Sequence, residues 1–216
     1  MEPTEHNRQA WDDVHRRRGD TDAGGAGLPP PVRHALADLH GKRVLALDGA
    51  DIQSPSELAG LGATVTALVV FPELVAPARV RWPKILWIEG ELESLPRELR
   101  HARFDLVYAG WNAELIHDVD AWASGIAAAL HSGGDLLLYD EHPAAKSVDG
   151  LMHWRVDYFH GDEPGERLLR LGQVVTAVAR AGFTVRALEE YPQQPGNARH
   201  HDARIPGTFL LHARRQ

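Results

Sequence analysis

The chain contains no cysteine. Disulfides, thiolate metal sites and cysteine nucleophiles are therefore excluded. No stretch approaches the roughly 20 apolar residues of a membrane-spanning helix. The opening MEPTEHNRQAW is polar and acidic and lacks the apolar core of a secretory signal, so the expected location is cytoplasmic. Basic charge is also scarce: 23 Lys and Arg stand against 30 Asp and Glu, a formal net charge of −7. Nucleic acid is not the expected partner, because a phosphate backbone usually needs a basic face. The basic residues are nearly all arginine, and Ala and Gly are abundant, a pattern of GC-rich coding rather than of function. Three motifs are missing. There is no G-x-x-x-x-G-K phosphate loop and no G-x-S-x-G nucleophile elbow. The glycine-rich stretch 19–27 follows no strand, so it is no dinucleotide fingerprint.

What is present is an ordinary globular composition. The chain has 216 residues, 44% of them apolar, enough for one domain with a buried core. Residues 1–40 read as N-terminal helices and a Gly/Pro loop packing on the domain. Thr4 to Arg18 is an amphipathic helix, Gly19 to Pro31 a loop, and Val32 to Leu39 a short helix. From residue 41 to 216 strands and helices alternate. Strands are expected at Arg43–Leu47, Thr64–Val70, Ile85–Ile88, Phe104–Tyr108, Asp135–Tyr139, Thr184–Leu188 and Thr208–Ala213. Helices are expected at Ser54–Leu61, Glu73–Arg79, Asp118–His131 and Gly165–Ala181, with Gly62 and Gly182 just past two helix ends. Residues 141–164 read as an irregular, lid-like segment rich in His, Trp and Tyr. The alternation predicts an α/β, doubly wound, mostly parallel sheet covered on both faces. There are no internal repeats.

The landmarks GKRVLALDGAD, LGATVTALVV and FDLVYAGWNAELIHDVDAWASGIAAALHSGGDLLLYDEHP resemble those of class I S-adenosylmethionine-dependent methyltransferases. The opening HNRQAWDD, the lid-like DYFHGDEP, the helix LGQVVTAVARAGF and the end IPGTFLLHARR match the style of a bacterial small-molecule subgroup. The resemblance spans nearly the whole chain. It implies a Rossmann-like, seven-stranded sheet, with an antiparallel last strand at Thr208–Ala213 and an N-terminal helical extension. It also implies S-adenosylmethionine as cofactor.

The sequence departs from the family at the cofactor site. The turn after the first strand reads Asp48-Gly49-Ala50-Asp51-Ile52-Gln53-Ser54, with Ile52 where a glycine is expected. A β-branched residue adopts positive φ poorly and fills space. The second strand ends Leu68-Val69-Val70-Phe71, with Val69 where the family has a carboxylate for the ribose hydroxyls. A buried hydroxyl without its acceptor costs about 1–3 kcal/mol. Glu91 stands near the family's acid or amide beside the adenine amine. The expected cofactor-binding residues are Asp48, Gly49, Asp51, Glu91 and Trp111. For Asp48 and Asp51 a helix cap or turn role is the alternative.

In this fold, substrate lies outside the carboxyl ends of the strands. His142 is the candidate general base, with Asp140 or Glu141 to orient it. Asn112, Trp154, Tyr158 and His160 are the candidate substrate residues. A His-Pro at a strand end also serves as an ordered turn, and Trp111 and Trp154 equally suit core packing. The run His200-His201-Asp202 does not converge on one ion without a rigid further ligand, so no metal is expected. Three functions stay open: a methyltransferase with impaired or atypical cofactor binding, an inactive pseudo-methyltransferase serving as a partner or regulatory subunit, and a cofactor-independent enzyme using the same pocket. The expected partners are accordingly a small-molecule substrate or a protein, with a homodimer possible through the N-terminal helix.

Overall fold

A computed structural model of the chain describes residues 27–48, 52–148, 153–154, 156–159, 168–192 and 205–216. Seven strands form one sheet in the order β3-β2-β1-β4-β5-β7-β6. They are β1 Arg43–Asp48, β2 Thr64–Val69, β3 Leu86–Glu89, β4 Phe104–Gly110, β5 Leu130–Glu141, β6 Phe183–Pro192 and β7 Pro206–Arg215. β1 to β5 are parallel, and β7 runs antiparallel between β5 and β6. The α/β class, the seven strands and the antiparallel last strand are as the sequence predicts.

Helices cover both faces, which is why the central strands are apolar along their whole length. Leu45 and Leu47 of β1, Val107 and Ala109 of β4, and Leu136 and Leu138 of β5 build one core layer. It is closed by α4 (Val119–Ala129) through Trp122 and Ile126, and by α6 (Leu171–Arg180) through Val174 and Val178. The alternate residues Val44, Ala46, Leu106, Tyr108, Leu137 and Tyr139 face the other way. They meet α1 (Pro30–Ala35), α2 (Ser54–Gly60) and α3 (Pro72–Arg81).

Several boundaries differ from the expectation. Helix α1 starts at Pro30 and ends before Leu36, whose backbone is extended. Its prolines open the helix instead of preceding it, since a missing N–H costs nothing in a first turn. Helix α6 begins at Leu171, because Arg170 is extended, with φ −67° and ψ 142°. Within the segment expected to be irregular, Pro143–Ser147 forms a short helix, α5. Proline at its first turn and the Ser147 hydroxyl donating to the Pro143 carbonyl at 2.9 Å favour it. Gly62 and Gly182 take φ of 92° and 88° after α2 and α6, the left-handed caps expected of them. The N-terminal helix, the loop turn 49–51, His160 and the run at 200–202 lie outside the described residues. No helix among the described residues is long and apolar enough to cross a membrane.

Candidate functional site

The chain leaves β1 toward β2 and β3 on one side, then crosses to β4 and β5 on the other. The switch point lies between β1 and β4, whose carboxyl ends adjoin through the Asp48 and Gly110 pair. Ligands of open α/β sheets bind at such a crevice.

The turn after β4 is built there with unusual care. Trp111 has φ of 56°, a left-handed conformation uncommon outside glycine. It costs on the order of 1–3 kcal/mol and persists only where neighbours enforce it. The Trp111 N–H donates to the Tyr139 carbonyl at 3.1 Å. Its ring meets the Tyr139 ring edge-on, with centroids 5.4 Å apart. The backbone N–H groups of Asn112 and Ala113 both donate to Asp140 Oδ2, at 2.7 and 2.8 Å. The Asn112 amide donates to the Leu47 carbonyl in β1. Asn112 is fully buried, so the structure places it in the scaffold of the turn, tying β1 to β5.

Asp140 is buried as well, with Oδ1 accepting from the Glu141 N–H at 2.7 Å. Burial pushes its carboxyl up to about 6, against the pull of the nearby Lys146 ammonium and the three backbone N–H donors. Lys146, from α5, is buried among carboxylates: Glu114 Oε1 at 2.8 Å and Glu141 Oε2 at 3.6 Å. Burial alone would push its ammonium down, but Glu141, Glu114 and Asp140 outweigh that and hold it above its ordinary value. Lys146 is not among the residues expected from the sequence, and Glu114 is expected only to lie after the fourth strand, not to pair with Lys146. The one signal for Lys146 is that it is one of three lysines in an arginine-rich chain, close behind Asp140.

His142 caps α5, its Nδ1 accepting from the Ala144 N–H at 3.1 Å. Nε2 therefore carries the ring proton. It lies 2.9 Å from Glu190 Oε1 on β6, an oblique approach that leaves it without an aligned acceptor. The carboxylate beside His142 is thus Glu190, and not Asp140 or Glu141 as expected. Successive residues of an extended strand point to opposite sides, which turns Glu141 away from the ring, while the Asp140 carboxylate is held by the Asn112 and Ala113 N–H groups. Glu190 and Asp140 both pair with Phe209 of β7, so sheet register delivers Glu190 to this spot. Burial lowers the His142 pKa, opposed by Glu190, so the ring is neutral near pH 7.

The remaining candidates spread around this end of the sheet. Glu91 is exposed in the loop after β3. Glu89, also exposed, ends β3 in register with Val69. Val69 and Phe71 are buried in the two core layers, and Ile52 packs against the layer that holds Val69. Trp154 is 71% exposed and pairs with Val148 through an isolated bridge. Tyr158 meets Phe159 edge-on at 5.1 Å. Among the described residues, no group of three or more His, Asp or Glu is placed to hold a metal ion.

Residues 35–138 match a family described as a methyltransferase domain. The chain has the class I S-adenosylmethionine-dependent methyltransferase fold. A methyltransferase of that dependence from Mesorhizobium loti superposes with a TM-score of 0.71 at 23% identity, covering 86% of this chain and 96% of that one. The glycopeptide N-methyltransferase MtfA, solved with S-adenosylmethionine, gives 0.61 at 21% identity, covering 90% of this chain and 89% of MtfA. The cyclase SpnF gives 0.60 at 18%, covering 82% of this chain and 75% of SpnF. No curated protein matches the sequence. The match to the methyltransferase domain runs from α1 into β5 and so takes in β1 to β4 entire, the strands whose ends form the crevice.

Proposed function

We propose that this chain binds S-adenosylmethionine in the crevice at the ends of β1 to β4 and directs methyl transfer to a small molecule. The observation that carries this reading is the locked turn Trp111–Ala113 at the switch point. A strained turn fixed by a buried carboxylate is the preorganisation that an alignment-limited displacement needs. The exposed carboxylates of Glu89 and Glu91 suit the cofactor, whose ribose hydroxyls and adenine amine are donors. Val69 and Phe71 turn into the core, which keeps their bulk out of the crevice.

When bound, the cofactor supplies a methyl group on a sulfonium. The residues of the chain orient and exclude. Trp111, braced by Tyr139, forms a rigid aromatic wall beside the strand ends. Asp140 fixes the backbone that carries it. The crevice residues would hold the acceptor's heteroatom in line with that methyl group. The acceptor's proton leaves to water or to a base. His142 is neutral with its own proton on Nε2, so the ring can take the acceptor's proton only through Nδ1, which must first release the Ala144 N–H.

The second reading, a domain that has given up methyl transfer, rests on Val69 and Ile52 where the family resemblance calls for an acid and a glycine. The fold itself does not choose between them. Calorimetric titration with S-adenosylmethionine and S-adenosylhomocysteine does. Micromolar binding supports the methyltransferase. No heat and no thermal shift at high ligand retire it in favour of the second reading.

A further inference from the structure

A groove of about 730 Å³ runs between α4 and α6. One wall is His117 to Asp120 at the start of α4, the other is Arg170 with the exposed side of α6, and Tyr158 and Phe159 border it. Helix α4 follows the carboxyl end of β4, and α6 follows the segment after β5. The groove therefore opens at the end of the sheet where this class of fold takes ligands.

Its charges are unequally occupied. Asp118 Oδ1 accepts from the Ala121 N–H at 2.9 Å and so caps α4. Asp120 faces Arg180 at 4.0 Å. The Arg170 guanidinium lies 5.3 Å from the centre of the Phe159 ring, and no carboxylate among the described residues pairs with it. Phe159 is 64% exposed and stands edge-on to Tyr158. A guanidinium stacked by its face keeps its N–H edge available, and that edge fits a carboxylate with two parallel hydrogen bonds. The exposed Phe159 ring and the half-buried Tyr158 ring beside it offer contacts to a planar ligand.

We propose that this groove binds a small aromatic acid, its carboxylate on Arg170 and its ring against Tyr158 and Phe159. The ligand would be the acceptor of the methyl transfer proposed above, and to that extent the inference rests on that reading.

The test titrates the whole chain with 4-hydroxybenzoate and its neutral counterpart 4-hydroxybenzamide, read by ligand-observed NMR. Binding of S-adenosylhomocysteine is followed separately by calorimetry. The acid is expected to bind at least tenfold more tightly than the amide, the difference a charge-assisted pair supplies. Arg170→Gln should remove that preference, Arg170→Lys should keep part of it, and neither should change affinity for S-adenosylhomocysteine. Equal binding of acid and amide, or an acid affinity untouched by Arg170→Gln, overturns the groove. The acid-against-amide comparison on the unaltered protein decides the matter even if the variant fails to fold. If the acid binds through Arg170 while S-adenosylhomocysteine does not bind, the groove stands and the methyltransferase reading falls. If S-adenosylhomocysteine binds and the acid does not, the groove alone falls.

Discussion

Asp140 Oδ2 lies 2.7 Å from the backbone nitrogen of Asn112, deep at the end of β5. One side-chain oxygen thus holds the turn that carries Trp111, because the same atom also takes the Ala113 N–H.

Replacing Asp140 by Asn should destabilise the chain by about 1–3 kcal/mol, since an amide NH2 replaces one carboxyl oxygen and leaves the Glu141 N–H without its acceptor. The loss should depend on pH in one direction. The folded carboxyl titrates at about 6, above its ordinary 3.8, so ionising it costs the native protein stability as pH rises through that window. The variant has no such decline, and the gap between the two should narrow from pH 4 to pH 7. Urea unfolding across that range checks this. A gap that widens would mean that the ionised form is the favoured one.

Lys146→Met keeps the length of the side chain and removes its charge. Glu114, Glu141 and Asp140 then face one another without a cation. Breaking a buried pair in this way costs about 3–5 kcal/mol. Because the folded ammonium is held above its ordinary value, the wild type has this contribution in full at neutral pH. The deficit of the variant should shrink toward pH 5, as Asp140 takes up its proton. Equal deficits at pH 5 and pH 8 would rule out an ionic origin.

His142→Asn should melt within a few degrees of the wild type, because asparagine also supplies a cap acceptor. His142→Leu should cost about 1 kcal/mol more. The folded His142 pKa is lowered, so its stabilising contribution is present above about 6.5 and is lost as pH falls. His142→Asn should flatten that acid limb in a melting series. A methylation rate that drops a hundredfold in His142→Asn, with melting unchanged, would make the ring a proton acceptor in the reaction.

Ile52→Gly should raise affinity for S-adenosylhomocysteine in calorimetry by freeing the turn after β1. Val69→Asp is expected to behave differently. Val69 is buried, and an unpaired carboxylate there should cost several kcal/mol unless it reaches the crevice. A Val69→Asp variant that keeps its melting temperature and gains affinity would show that the position opens to the cofactor after all.

The sheet was legible because buried parallel strands write themselves as apolar runs, as in Val44–Leu47, and because Gly62 and Gly182 mark helix ends. The limits of α6 were not, since nothing in its sequence shows that Arg170 is extended while Leu171 is helical. His142, Asp140, Asn112 and Trp111 were found from their position after strands. Their partners were not. Glu190 reaches His142 only through the pairing of β6 and β5 with β7, and Glu114 reaches Lys146 across 32 residues of chain. Such meetings depend on register and packing, which local pattern does not carry. Arg170 is unmarked in the sequence for the same reason, being one arginine among many until Phe159 lies against it.

The place of β7 has a bearing on how the protein is made. Asp135 pairs with Arg214, and among the described residues β6 pairs with nothing but β7. During synthesis, β5 must therefore wait with one edge unmatched until residues 206–215 have left the ribosome. A domain whose sheet is closed by its last-made strand stays open to aggregation until that strand emerges. A truncation before Pro206 would free two strand edges at once, so a chain clipped there should accumulate as inclusion bodies rather than as a slightly weakened protein.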